Sequence, residues 1–120
     1  MTASVTIGGQ RTPIASKPTD TNEATIYTAG KEVPVVVALI ICNGTSSAAA
    51  ATVKWGDGST DHAIIAGKSI AANDSVIYDL LMPLREGYTL KVTSGAGNAL
   101  TFTFVIVSTG STTYGQGNAA

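Results

Sequence analysis

Residues 33–55 read VPVVVALIICNGTSSAAAATVKW, and the fold turns on this stretch. Val35 to Cys42 is an unbroken apolar run dominated by β-branched residues. Such residues lose rotamer freedom in a helix but fit a pleated surface well, so the run reads as a strand. No polar residue interrupts it, which predicts that both of its faces are covered. Cys42, the one cysteine of the chain, is expected to be a buried structural thiol. The run is far too short to span a bilayer as a helix. Asn43-Gly44 is a strong hairpin signal, because both residues tolerate positive φ. The chain is expected to return as Ala49 to Trp55, with Ala51, Val53 and Trp55 on one face and Thr52 and Lys54 on the other.

On the N-terminal side, Ala3 to Ile7 alternates briefly. Gly8 to Asp20 carries two prolines, two glycines and no period, so it reads as an arm or long loop. Ala24 to Thr28 is the next strand. On the C-terminal side, Gly56-Asp57-Gly58-Ser59 is a tight turn, followed by short strands at Thr60 to Ala66 and Ser69 to Ala71. Ser75 to Leu81 fits a helical face as well as a strand, but its β-branched start and nearby Pro83 favour the strand. Tyr88 to Ser94 alternates with Tyr88, Leu90 and Val92 inward. Gly95 to Asn98 reads as a last hairpin loop, and Leu100 to Val107 places Leu100, Phe102, Phe104 and Ile106 on one face. About eight short strands with Gly, Asn and Asp turns predict an all-β chain, an antiparallel β-sandwich or jelly roll. Three regions follow: an N-terminal strand and arm (1–21), the sandwich (22–107) and a flexible tail (108–120).

The totals narrow the function. Of the 120 residues only 12% are charged, about half the usual ~25%. The surface must therefore be built from Thr, Ser, Ala, Gly and Asn, which suits a protein packed against copies of itself or a larger body. Net charge is −1 and the seven basic residues are scattered, which argues against nucleic acid as a partner. Met1 opens a polar segment without the basic and apolar regions of a secretory signal, so synthesis in a cytoplasm is expected. Neither a membrane partner nor a cofactor is implied.

Asp57-Gly58-Ser59-Thr60-Asp61-His62 is the one cluster with chemical potential. Its carboxylates and imidazole could hold a metal, or Ser59 and His62 could begin a hydrolytic pair. The spacing matches no ligand pattern, and Asp and Gly at a hairpin tip are what a turn requires, so the turn reading is preferred and no catalytic residue is assigned. Trp55, Tyr78, Tyr88 and Tyr114 could form a sugar-stacking platform. Trp55 and Tyr88, however, run in phase with aliphatic neighbours and are expected to be mostly buried. Tyr114 stands alone in the polar tail as a docking anchor. Tyr114, with Arg11 and Ile14 in the arm, makes up the set of candidate assembly contacts.

The segments TNEATIYTAG, VPVVVALIICNGTSSAAAATVKW and IAANDSVIYDLLMPLREGYTLKVTSGAGNALTFTFVIVS together resemble small virion proteins of tailed bacteriophages. The shared pattern is a Tyr-Thr-Ala segment leading into a long apolar strand ending in Asn, then a Gly-x-x-Leu-x-Val strand and an Asn-Ala-Leu hairpin. It covers about Asn22 to Val107 and departs at Glu86-Gly87-Tyr88 and in the longer arm. The resemblance implies a non-enzymatic decoration or cement protein of the head, localised to the virion. Its partners would be itself, as a homo-oligomer, and a major capsid or other virion protein. A head–tail or tail accessory protein, or a sandwich that binds a host glycan, is the alternative.

Overall fold

Alternation from Leu100 to Ile106 gives one side chain in two to the interior, and the same holds along most of the chain. The computed structural model describes residues 11–108. It contains β1 (Arg11–Ser16), β2 (Ala24–Thr28), β3 (Val35–Asn43), β4 (Ala49–Gly56), β5 (Asp61–Ile70), β6 (Ser75–Pro83), β7 (Thr89–Ser94) and β8 (Leu100–Val107). A first sheet has the order β1-β8-β3-β6 and a second the order β2-β7-β4-β5. Every neighbouring pair is antiparallel.

These orders have one origin. β1 pairs with β8, β2 with β7, β3 with β6 and β4 with β5, as in a single antiparallel ribbon folded back at the β4–β5 turn. The ribbon then rolls up, and the contacts of β3 with β8 and of β4 with β7 close it into two sheets. Only the β4–β5 connection stays within a sheet, and every other one crosses from sheet to sheet. This is the eight-stranded jelly roll.

The two inner faces share one core. Val36, Leu39 and Ile41 of β3 and Leu100, Phe102, Phe104 and Ile106 of β8 meet Ala51 and Val53 of β4 and Leu90 and Val92 of β7, all buried. Each fully buried Leu, Ile or Phe side chain contributes about 1.5–3 kcal/mol by removal from water. β6 is an edge strand with a clean period of two: Val76, Tyr78, Leu80 and Met82 pack against the core, while Ile77 and Leu81 point away from it. The alternative helical reading of this segment fails because the ladder with β3 supplies its backbone partners from Val35 to Cys42.

Several expectations are corrected. Asn43-Gly44 does not close a hairpin, since β3 and β4 lie in different sheets and neither residue has positive φ. Asn43 is instead fully buried and organises the crossing. Its Nδ2 donates to the carbonyls of Ser47 (2.8 Å) and Ile70 (3.0 Å), and its Oδ1 accepts from the amide and hydroxyl of Thr45. Gly95 to Asn98 is likewise a crossing between β7 and β8. The Gly95 amide donates to the Ala50 carbonyl at 2.7 Å, so close that a Cβ on Gly95 would stand 2.9 Å from the Ala50 nitrogen. The expected arm from Gly8 to Asp20 contains β1, an integral edge strand of the first sheet, so the sandwich begins before residue 22. Pro13 hid it, because a proline is tolerated in a strand at an edge, where its nitrogen faces no neighbour. The two short segments at Thr60 to Ala66 and Ser69 to Ala71 are one bulged strand, β5. Cys42 is exposed, not buried, because only the inner face of β3 meets the core. The expected strand at Ala3 to Ile7 and the tail lie outside the described residues.

Candidate functional site

Two places on the sandwich concentrate side chains that the core does not use. The first is the β4–β5 end. Asp57 sits at the turn, and its Oδ1 accepts from the amides of Ser59 (2.9 Å) and Thr60 (2.8 Å). Its Oδ2 lies 3.0 Å from Nε2 of His62. The imidazole and the two amides together pull the Asp57 carboxyl from its ordinary 3.8 down to about 2, the His62 bond being the largest cause. The ring of His62 stacks on Trp55 (4.4 Å between centroids), and Trp55 stacks on Tyr88 (5.6 Å). The β4–β5 hairpin places Trp55 beside His62, and the residue just before β7 brings in Tyr88 from far along the sequence. All three are half-buried, so Trp55 and Tyr88 are more open than their strand phase predicts.

On the outer side of the same end, Gly56, Thr25, Gly58, Ser59, Asp61, Thr89 and Lys91 line a shallow depression of about 410 Å³. Lys91 donates to both carboxylate oxygens of Asp61 at 3.0 Å. Gly56 forms its floor, where a Cβ would stand 2.6 Å from the Thr89 hydroxyl. The candidate cluster Asp57, Asp61 and His62 is therefore divided. Asp57 and His62 staple the turn, while Asp61 faces the other side of the sheet and holds Lys91. Ser59 shares no hydrogen bond with His62, and among the described residues no three His, Cys, Asp or Glu side chains converge as metal ligands.

The second place is the outer face of the first sheet. Register puts Ala15, Thr103, Ile40 and Ile77 in one row across its four strands, and Pro13, Val105, Ala38 and Asp79 in the next. Cys42 and Thr101 continue the face on one side, and Leu81 on the other. Ile77 is 70% exposed and Leu81 79%. Asp79 is the only charge in these rows. Of the candidate assembly contacts, Arg11 lies exposed at the end of β1, opposite Val107. Ile14 points inward opposite Phe104 and packs against the core. Tyr114 lies outside the described residues. Sequence reading missed this face because the outward residues of β3 and β6 looked like core.

Fold and surface together define an eight-stranded jelly roll with one polar and one apolar outer face. No protein-family model matches the sequence, and a search of curated proteins finds no match. Among solved structures the chain is similar to a subunit of Bacillus endospore appendages, described as a novel family of disulfide-linked pili. That likeness has a TM-score of 0.52 and 13% identity, over 90% of this chain and 97% of that one. It is also similar to a pentameric capsid protein isolated from metagenomic phage sequences (TM-score 0.48, 18% identity, 82% of this chain), of which it spans 64% of the length. A third likeness is to the infectious bursal disease virus Gx strain (TM-score 0.49, 11% identity, 87% of this chain, 32% of that one). At such identities the likeness is one of fold.

Proposed function

We infer that this chain is a non-enzymatic virion structural protein that decorates or cements a capsid shell as a homo-oligomer. The observation that carries the reading is the outer face of the first sheet, a nearly uncharged surface of Pro13, Ala15, Ala38, Ile40, Ile77, Leu81 and Val105 on a jelly roll. Jelly rolls serve as capsid domains, lectins and cupins. The fold alone does not choose among them, and it is the surface that favours the first. The one histidine is held by a turn aspartate, and the apolar face has the chemistry of subunit contact. Cement action needs no catalysis: a protein that binds only the assembled lattice stabilises it by mass action. Arg11 on β1 and Tyr114 in the tail supply further contacts in this reading, whereas Ile14 acts through the core it supports.

Particles assembled without this protein should rupture at a lower temperature than complete particles, and adding it back should restore them. Equal robustness of the two kinds of particle would overturn the cement role. The stack of Trp55, His62 and Tyr88 favours one second reading, a module that binds a host glycan, since aromatic faces at a sandwich end fit pyranose rings. Glycan-array binding lost on Trp55→Ala, in a variant that still folds, would favour it over the cement.

A further inference from the structure

We propose that the outer face of the first sheet is a two-fold interface between copies of this chain. This deepens the reading above by naming the surface through which copies meet. The starting point is β3, whose unbroken apolar run implies cover on both faces, while the sandwich covers only one: Val36, Leu39 and Ile41 are fully buried, and Ile40 and Cys42 on the other side are not. Continuity of the same apolar character through Ile77 and Leu81 of β6 and Val105 of β8 makes this a sheet face, not a stray residue.

The face is self-complementary. Its β3–β6 half is raised by Ile40, Ile77 and Leu81 and dips at Ala38, while its β1–β8 half is shallow at Pro13, Ala15, Thr101 and Thr103 and rises only at Val105, which the axis sets over the Ala38 of the other copy. A two-fold axis parallel to the strands lays β6 of one copy over β1 of the other and β3 over β8, so that each raised half fills the shallow half of its partner. Such mutual use of one patch is what an isologous interface requires. The charges agree. Arg11 lies on the β1 edge and Asp79 on the β6 edge, in the row of Pro13, so the two are offset by two register positions, about 7 Å along the strands. An arginine side chain spans that offset, so each Arg11 reaches toward the carboxylate of the other copy, twice per dimer. With strands ~4.8 Å apart and eight residues of ~3.3 Å each, one face covers about 500 Å². A pair would bury about 1,000 Å², the lower limit for a specific interface. The contact is therefore weak in isolation and becomes firm in a lattice that holds copies side by side.

The same axis places the two Cys42 residues one strand apart across the sheet-to-sheet gap, a Cα separation of about 11 Å. That is too long for a disulfide, which needs about 7 Å or less, and suits a short bis-maleimide. Sedimentation equilibrium of the full chain over a concentration series should show a monomer–dimer equilibrium, and the bis-maleimide should trap the dimer through Cys42. Ile77→Asp with Leu81→Asp should weaken the dimer by ~100-fold or more, because carboxylates would be buried without partners. Circular dichroism should show this double variant folded, since both side chains are exposed. Arg11→Glu should weaken the dimer, and Arg11→Glu with Asp79→Arg should restore it. Lys54→Glu on the opposite face serves as control and should leave it unchanged. A wild-type chain that is monomeric at every concentration would overturn the interface. So would association that survives Ile77→Asp/Leu81→Asp, or a charge swap that fails to rescue. Binding of the same variants to empty shells, measured separately, reads the cement role independently of the dimer.

Discussion

The two outer faces of the sandwich are built on matching four-stranded sheets around one shared core, yet they are opposite in character. On the second sheet Lys54 lies 3.2 Å from Glu23 and Lys91 3.0 Å from Asp61, among Thr25, Thr52, Thr89 and Thr93. On the first sheet the corresponding positions are Pro13, Ala15, Ala38, Ile40, Ile77 and Val105. The backbones are interchangeable in kind, so the difference lies in every second side chain. The inward residues make the jelly roll, and the outward residues determine whether a sheet faces water or another protein. The low overall charge is therefore not a uniform property of the surface but is concentrated on one side.

The largest effect sets the scale for comparing the faces. Phe104→Ala removes a fully buried ring from beneath both sheets and should cost about 3–5 kcal/mol in urea denaturation. Neither outer face should approach that. Next comes the crossing that joins the first sheet to the second: Asn43→Ala leaves the Ser47 and Ile70 carbonyls and the Thr45 amide without their partner. It should cost about 1–3 kcal/mol, measured the same way. On the polar face, Lys91→Ala should cost no more than about 1 kcal/mol, and the loss should shrink in high salt because the pair is partly exposed. On the apolar face, Ile77→Thr should change monomer stability by less than about 0.5 kcal/mol at any salt, while making the protein less prone to associate. A large salt effect on Ile77→Thr, or none on Lys91→Ala, would break the comparison.

Acid acts on the β4–β5 turn. The carboxyl of Asp57 is held near 2 in the folded chain, below its unfolded value, so the turn it staples is favoured above about pH 4. That contribution is lost as the pH falls from there through about 2. A pH titration followed by the indole fluorescence of Trp55, which stacks on His62, should report the loss, and Asp57→Asn should flatten it.

Much of the fold was legible because alternation is a local property. The inward sets of β7 and β8 follow directly from Leu90, Val92, Phe102 and Phe104, and β6 follows from its β-branched start. Pairing was not legible. Asn43-Gly44 and Gly95 to Asn98 carry the same residues whether a chain turns within a sheet or crosses to another. At Asn43 the decisive factor is a buried side chain that reaches Ile70, a partner distant in sequence. β1 was masked by a proline that only an edge position permits. At the candidate site, the Asp57 turn could be read from sequence, but the stack of Trp55 on His62 and Tyr88 required three strands to meet. The apolar outer face is visible in the sequence only as an excess of hydrophobic residues in β3 and β6, and such an excess reads the same whether a face is covered by its own core or by another protein.

The nested order of the strands also governs how the molecule is made. Arg11 lies opposite Val107 and Val36 opposite Ile106, so β1 and β3 acquire the neighbour between them only when β8 has been synthesised. The β4–β5 hairpin, by contrast, can close as soon as its turn emerges. Domains dominated by such distant pairings fold in milliseconds to seconds, slower than those held by local contacts. During that interval β3 presents an open apolar edge to its surroundings. The vacant place fits β8 of a second, still unfolded chain as well as it fits its own, so the topology that closes the roll makes exchange of the last strand the error it most favours.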